Sequence, residues 1–481
     1  MTSARLDSML AMPATQIHNA PGISAVLDLE LVRRFDKLGP RYTSYPTADR
    51  FIEARGAESL DQALRARAGG AIRQPLSLYV HLPFCASPCF YCACNKVITR
   101  DRSRATRYLG YLSREMELQA ALLGDERRVQ RMHWGGGTPT YLDAHELKVL
   151  VEMIRGHFDL EPEGEYAIEI DPRTASDETM ALLADLGFNR ASFGVQDFDP
   201  VVQKAVNRMQ GFEMTRDRIE AARKAKFKSV NLDLIYGLPK QTLQGFSQTL
   251  EQVVSLRPDR IALYSYAHLP DRFKPQRRIV EVELPSATEK LSILARAIER
   301  FEQAGYIYIG MDHFALPGDE LARAQRMGNL IRNFQGYSVG PDGDLVGIGV
   351  SSIAKVGTTY SQNERELGAY YDALDRSRLP VARGFEMGPE DMLRRSVIMA
   401  LMCQFEVSME AISTAWLVEF KERFAPELAD LSEYVALGLV VIDHDSITVT
   451  PRGRFFVRSI ASVFDRYLRD DRSRKAYSRI I

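Results

Sequence analysis

Short apolar segments alternate with amphipathic helical ones between residues 76 and 270, and few folds accept that pattern. The strand candidates are LSLYVHLPF, QRMHWGG, EYAIEID, RASFGVQ, SVNLDLIYG and RIALYSYAHLP, each bounded by Gly, Pro or charge. Between them, DAHELKVLVEMIRGHF sets Leu147, Leu150, Val151 and Ile154 on one helical face. Asp143, with Glu146 three residues on, reads as a capping box. In SDETMALLADLGF, Ser176 can cap a helix and Gly187 can end it. Strand–helix alternation repeated about six times implies an α/β fold: a parallel sheet with right-handed crossovers, as an open or closed β/α barrel.

The ends differ in texture. Residues 1–70 read as an N-terminal extension, with an amphipathic LDLELVRRFDKL followed by the turn-rich, aromatic GPRYTSYPTA. Residues 71–370 carry the β/α alternation, and 371–481 form a mostly helical C-terminal part. There LVVIDHDSITVTPRG reads as a hairpin between helices, a winged-helix-like order whose simplest role is a cap, since fold does not fix function. The 62 Lys plus Arg against 63 Asp plus Glu argue against broad binding to nucleic acid or anionic lipid. No apolar run reaches the length of a membrane span, and the N-terminus has no secretory h-region. A cytoplasmic protein is the expectation.

Four of the five cysteines, Cys85, Cys89, Cys92 and Cys94, fall in CASPCFYCAC, directly after a predicted strand; Cys403 lies apart in an apolar helical stretch. Three readings compete. Cys85, Cys89 and Cys92 can hold three irons of a [4Fe–4S] cluster, leaving one iron to a small molecule. All four can bind structural zinc, although the Cys92–Cys94 spacing suits a tetrahedral cage poorly. Cys89 and Cys92 can form a redox pair, without thioredoxin-like surroundings. Tyr91, inside the cluster, offers a flat face to an adenine; alternatively it is simply packed.

Chemistry collects at the C-terminal ends of barrel strands. The second strand ends in HWGGGTPT, where Gly135, Gly136 and Gly137 admit close backbone approach; no G-K-[ST] follows, so this is not a P-loop. Glu169 sits among apolar neighbours, and its partner is either a ribose hydroxyl or Arg173. Gln196 offers a neutral hydrogen-bonding amide and Arg208 a carboxylate-binding fork. Asp233 interrupts an apolar run, which is costly unless it is satisfied.

CASPCFYC matches the C-x3-C-x2-C signature of radical S-adenosylmethionine enzymes. More closely, YVHLPFC, CNKVITR, HWGGGTPTYL, EIDPR, FGVQDF, VNRMQ, DLIYGLPKQT, YAHLP, GMDHFA, NFQGY and GVSSIA resemble the oxygen-independent coproporphyrinogen III oxidase family, the HemN type. The C-terminal part, ending AYSRII, resembles it too.

The resemblance implies a partial (β/α)6 barrel of radical S-adenosylmethionine type. It implies that Cys85, Cys89 and Cys92 bind a [4Fe–4S] cluster and that Tyr79, Gly136, Glu169 and Ile353 line an S-adenosylmethionine on it. Tyr91, Gly137, Thr138, Gln196, Arg208, Asp233 and Ala267 match positions contacting a second S-adenosylmethionine; the family more often has Phe at the place of Tyr91. Cys94 then has a catalytic or electronic role rather than a ligand's. The implied reaction converts two propionates of coproporphyrinogen III to vinyl groups through a 5′-deoxyadenosyl radical, giving protoporphyrinogen IX in haem biosynthesis. A one-electron donor such as a flavodoxin or ferredoxin is implied, and a monomer is expected.

The substrate's carboxylates call for cations, and Arg33, Arg34 and Arg41 of the extension are candidates to help cover it. Two alternatives remain: a HemW-like haem-binding chaperone on the same scaffold, and a zinc-bearing winged-helix protein that binds nucleic acid. Haem-binding relatives of the first kind usually carry Phe at the place of Cys94 and lack PRYTSYPTA, so both features favour the oxidase.

Overall fold

A computed structural model describes residues 28–35, 39–71 and 74–470. Residues 1–27 and 36–38 of the expected extension, and the tail beyond Asp470 with AYSRII, lie outside the described residues.

All six strand candidates form strands: β1 (Leu76–Leu82), β2 (Arg128–Gly136), β3 (Asp159–Ile170), β4 (Arg190–Gln196), β5 (Ser229–Tyr236) and β6 (Arg260–Ser265). They pair in sequence order, each parallel to the next. Helices α1 (Ser103–Leu123), α2 (Ala144–His157), α3 (Asp177–Asp185), α4 (Phe212–Lys224) and α5 (Leu243–Leu256) lie between them in the chain. In α2, Leu147, Leu150, Val151 and Ile154 are buried, and Asp143 and Glu146 close the expected capping box. Ser176 caps α3. Gly187, at φ +104°, follows that helix's end in a conformation that suits glycine.

Strand periodicity decides which side chains face the site. Phe193, Val195, Leu232 and Leu234 are buried in the core, while Ser192, Gly194, Asn231 and Asp233 alternate with them on the other face. The polar interruptions in otherwise apolar strands are thus the inner lining of an open barrel.

The sheet is wider than the β/α alternation suggests. Helix α6 (Ala287–Gln303) leads to the antiparallel β7 (Ile307–Gly310) and β8 (His313–Ala315), with β8 on the edge of β6. A separate ribbon pairs β9 (Leu330–Asn333) with β10 (Gly336–Val339). On the opposite edge, β11 (Leu345–Ile348) runs parallel to β1, followed by antiparallel β12 (Ile353–Val356), β13 (Thr359–Asn363) and β14 (Val381–Glu386). The order β14-β13-β12-β11-β1-β2-β3-β4-β5-β6-β8-β7 is an open 12-stranded sheet. The sheet therefore continues to Glu386, past residue 370 where the composition changes, because β14 is hydrogen-bonded along β13 from Thr359↔Glu386 to Asn363↔Val381.

Beyond it, α7 (Pro389–Gln404) begins a C-terminal module with a three-stranded sheet of β15 (Glu406–Ser408), β16 (Val440–Ile442) and β17 (Ser446–Val449). Its helices and hairpin follow the winged-helix-like order, and Cys403 is buried in α7. The described part of the N-terminal segment is built into the fold. Tyr42 and Tyr45 are buried, the Tyr42 hydroxyl donates to Asp465 at 3.0 Å, and Ile52 bridges Gly384. Among the described residues, no helix is long and apolar enough to cross a membrane.

Helix α1 carries a buried carboxylate that ties the β11–β12 turn to the barrel. Glu115 accepts from the Gly349 amide at 2.7 Å, Asn363 Nδ2 at 2.6 Å, the Tyr370 hydroxyl at 2.5 Å and Gln119 Nε2 at 3.0 Å. Burial pushes its carboxyl up despite these donors. Replacing Glu115 with Ala strands several buried donors at once, so Glu115→Ala is expected to cost at least about 2 kcal/mol. The readout is the urea unfolding midpoint; a midpoint equal to wild type refutes the assignment.

Candidate functional site

The chain leaves β1 through Pro83 into the cysteine loop. The two-residue strands Phe84–Cys85 and Val97–Ile98 pair in parallel and close that loop on itself. The Cys92 amide donates to the Cys89 carbonyl at 3.2 Å, folding CFYC into a turn. The loop is docked on the segment after β4: the Phe90 amide donates to the Val206 carbonyl at 3.0 Å, and Asn207 Nδ2 donates to the Pro88 carbonyl at 2.7 Å.

One cavity of about 410 Å³ lies against this loop at the C-terminal ends of the strands. Cys85, Cys89, Cys92, Cys94, Tyr91, Gly136, Gly137, Thr138, Glu169, Gln196, Arg208 and Asp233 all line it. Tyr79, Ala267 and Ile353, expected with them, are not among its lining residues. Tyr79 lies to one side, stacked on His133 with ring centres 5.9 Å apart. Ala267 is joined to the cysteine loop through Gln276, whose Nε2 donates to the carbonyls of Ala267 at 3.2 Å and Tyr91 at 3.0 Å. Ile353 packs against the buried Phe51, Tyr360 and Met387.

The glycines make the wall on the β2 side. Gly136 has φ +113°, and a Cβ there would lie 2.6 Å from His81 Cε1. At Gly137 a Cβ would lie 2.6 Å from the Pro83 carbonyl carbon, so main chain packs where a side chain has no room. His81 Nε2 donates to the Asn95 carbonyl at 3.0 Å, leaving Nδ1 to accept from the Tyr79 hydroxyl at 3.1 Å. Burial holds His81 below its ordinary range, in keeping with this neutral form.

The charged groups form two sets. In the first, Arg208 Nη1 donates to Asp171 Oδ2 at 2.9 Å and to Cys89 Sγ at 3.5 Å, while Nη2 donates to the Gly194 carbonyl at 2.6 Å. Arg173 Nη2 donates to the same Asp171 oxygen at 2.7 Å and to Cys89 Sγ at 3.7 Å. Burial works against ionisation of Asp171, but the charges of Arg208 and Arg173 hold its carboxyl below the usual range. In the second set, Glu169 accepts from His133 Nε2 at 3.2 Å and from the Gly136 amide at 3.3 Å. Enclosure opposes its charge, yet these donors keep it ionised. Arg173 is therefore not the partner of Glu169: the turn after β3 brings it onto Asp171 instead.

Asp233 accepts from Ser192 Oγ at 2.8 Å and Asn231 Nδ2 at 2.9 Å, and burial pushes its carboxyl up to about 6. Gln196 sits at φ +68° where the β4–β5 register shifts, which sets it at the cavity wall. Arg208, expected as a fork for a ligand's carboxylate, already holds Asp171; its buried Nε has no partner among the described residues.

The residues present suit an iron–sulfur cluster. Soft thiols stand around a cavity, guanidinium N–H groups point at Cys89, and the Thr138 hydroxyl lies 3.4 Å from Cys85 Sγ. Hydrogen bonding from Cys94, against burial and with help from Lys96, pushes Cys92 down to about 6, while burial pushes Cys85 up to about 11. All five cysteines are free. Among the described residues, no three His, Cys, Asp or Glu side chains gather closely enough to share one metal ion, as a zinc cage requires. Sequence reasoning passed over His81, His133 and Asp171. Each lies two residues from a quoted position, His81 and His133 on the same strand and Asp171 just past the end of β3, and that spacing was the available signal.

The Radical SAM superfamily model matches residues 79–253, and the HemN C-terminal domain model matches residues 387–456. The oxygen-independent coproporphyrinogen III oxidase of Pseudomonas aeruginosa is 51% identical over 457 residues, covering 94% of this chain and 98% of that protein. The Escherichia coli protein of the same name is 44% identical over 454 residues, with 94% and 98% covered. The solved structure of coproporphyrinogen III oxidase from Escherichia coli, described as a radical SAM enzyme, superposes with a TM-score of 0.87 at 43% identity, covering 92% of this chain and 99% of that one.

The state of Asp233 gives the cavity a pH signature. Its carboxyl is pushed up to about 6, so it is an acceptor above that pH and neutral below it. The affinity for S-adenosylmethionine, the ligand the motifs imply, is expected to fall as pH drops through that value. Asp233→Asn is expected to remove this step and to weaken binding at pH 7.5 by roughly tenfold, the worth of one charge-assisted hydrogen bond. Isothermal titration at several pH values checks it; an Asn variant with the wild-type pH profile refutes it.

Proposed function

This chain belongs to the oxygen-independent coproporphyrinogen III oxidase family of radical S-adenosylmethionine enzymes, and from that membership we propose how its own residues serve the reaction. The enzyme converts two propionate side chains of coproporphyrinogen III to vinyl groups, giving protoporphyrinogen IX without O2. The observation that carries this reading is the single cavity where Cys85, Cys89 and Cys92 meet the Gly136–Thr138 loop, Glu169, Gln196, Arg208 and Asp233.

Cys85, Cys89 and Cys92 are the residues that would hold the [4Fe–4S] cluster. When bound, that cluster and S-adenosylmethionine supply one-electron reductive cleavage to a carbon radical able to take hydrogen from a propionate. The chain supplies placement. Glu169, fixed by His133 and the Gly136 amide, presents an ionised acceptor to hydroxyl or ammonium groups. Gly136 and Gly137, packed against His81 and Pro83, put main chain on the cavity wall for a ligand's polar head. Tyr91 offers an aromatic face, and Gln196 and Asp233 offer further hydrogen-bonding groups on the β4–β5 side.

Tyr79, Ala267 and Ile353 belong to the same proposal as edge contacts, two molecules of S-adenosylmethionine being bound. Cys94 is exposed on the cavity beside Cys92 and is the candidate catalytic thiol. The proposal extends to a flavodoxin- or ferredoxin-class electron donor, a monomeric state and a cytoplasmic location. It includes a division into an N-terminal segment, the β/α domain and the C-terminal module. The chaperone reading gains no support, since the relatives carry the oxidase name and the YTSYP segment is packed into the fold through Tyr42 and Tyr45.

The test is anaerobic reconstitution with iron, sulfide, S-adenosylmethionine and a one-electron reductant, followed by mass analysis of coproporphyrinogen III products. Wild type is expected to give divinyl product and CO2. Cys85→Ala is expected to give neither and to retain less iron. Equal product from both refutes the role of Cys85, and no product from a fully loaded wild type refutes the activity.

A further inference from the structure

Beyond the cofactor cavity, the inner face of the sheet carries a second polar group that the reaction described above does not use. The register sets Asp233 of β5 opposite Ala262 of β6, and Ala262 opposite His313 of β8. Asp233 and His313 thus share one row on one face, two interstrand spacings or about 10 Å apart. Tyr264 stands two residues beyond Ala262 on the same face, its ring 6.0 Å from that of His313. The Arg41 guanidinium lies 6.0 Å from the Tyr264 ring centre, with Nη1 3.3 Å from Asp312. The face of the sheet that carries Asp233 at the cofactor cavity therefore also carries a cluster with basic groups.

Arg332 of β9 is the unusual member. It is only 5% exposed, and its guanidinium lies 4.6 Å from the Tyr337 ring centre. Tyr337 in turn packs edge-on to His313 at 5.4 Å. Among the described residues Arg332 forms no ion pair; its one hydrogen bond runs from Nη2 to the Arg41 carbonyl at 3.5 Å, and Nε and Nη1 have no partner. Of the other buried arginines, Arg190 holds Glu165, Arg208 holds Asp171 and Arg394 holds Glu427, while Arg458 donates to the carbonyls of Gly39 and Pro40. A buried guanidinium without an anion is costly, and the contact with Tyr337 offsets only part of that cost. His313 Nδ1 is likewise buried and unpartnered. Burial, with the charges of Arg332, Arg260 and Arg41, holds this imidazole neutral, able to donate one hydrogen bond.

We propose that Arg332 and His313 form a carboxylate site for a propionate of the tetrapyrrole, holding one side chain while another faces the cofactor cavity. The planar fork matches a carboxylate with two parallel N–H bonds, and the Arg41–Asp312 pair lies nearby. The site rests on the activity proposed above and names the recognition that activity needs. Of the cations put forward from the sequence, Arg41 belongs to this cluster. Arg34 is committed to Glu433 at 2.6 Å, and Arg33 is exposed beside Glu30 and Thr288.

The reconstituted full-length protein tests it. Coproporphyrin III and its uncharged tetra-amide serve as fluorescence probes, alongside KM for coproporphyrinogen III and direct titration of S-adenosylmethionine. Arg332→Gln is expected to weaken the tetra-acid roughly thirty-fold and raise KM to match, the usual scale for breaking a buried charge pair. Tetra-amide affinity, S-adenosylmethionine affinity and iron content are expected to stay as in wild type. Should Arg332→Gln not fold, Arg332→Lys keeps the charge without the fork and His313→Gln keeps the fork; each is expected to weaken the tetra-acid about tenfold. Unchanged tetra-acid affinity overturns the proposal and leaves Arg332 a packing residue over Tyr337. Loss of S-adenosylmethionine affinity instead assigns the site to that molecule's carboxylate and also overturns it. A wild type that neither binds nor converts coproporphyrinogen III sinks the activity and this site together.

Discussion

The buried guanidinium of Arg208 joins three parts of the chain that must meet for the site to exist. It pairs with Asp171 at the end of β3, donates to the Gly194 carbonyl on β4, and reaches Cys89 Sγ in the cysteine loop. Removing Asp171 would leave Arg208 and Arg173 facing each other without their anion, a far costlier state than loss of an exposed ion pair. The same network surrounds one thiol with N–H donors, as a sulfur carrying negative charge requires. Position and electrostatics of the cysteine loop thus have a common source.

The barrel strands divide structure from chemistry by alternation. On β4 and β5 the residues facing the core are Phe193, Val195, Leu232 and Leu234, and those facing the interior are Ser192, Gly194, Asn231 and Asp233. The interior is therefore polar over a wide, open face. Cofactor-facing residues occupy one part of it, and the row from Asp233 through Ala262 to His313 extends it toward the edge strands. A large substrate with carboxylates around its rim needs such an extended lining, with cations set apart from one another.

Much of this was legible in the chain. The six parallel strands, the Asp143 capping box and the grouping of thiols, glycines, Glu169, Arg208 and Asp233 follow from periodicity, from punctuation and from polar residues in apolar strands. The edge strands were not, because β7 through β14 are only three to six residues long and several are joined by tight turns such as Met311 at φ +49° and Ser351 at φ +61°. Partner choice was also hidden. Arg173 is within reach of both Glu169 and Asp171 along the sequence, and the turn at residues 171–174 decides for Asp171. Arg332 gave no signal at all, since an arginine in a short strand reads as exposed until burial and missing partners mark it.

The central claim is that three thiols, those of Cys85, Cys89 and Cys92, hold a cluster and leave one of its irons to a small molecule in the cavity. Iron-57 Mössbauer spectroscopy of the anaerobically reconstituted protein, with and without S-adenosylmethionine, tests it most directly. The expected result is one iron site distinct from the rest, whose signal alone moves when S-adenosylmethionine is added. Equivalent irons that ignore the addition, or a folded protein that takes up no cluster, would contradict it.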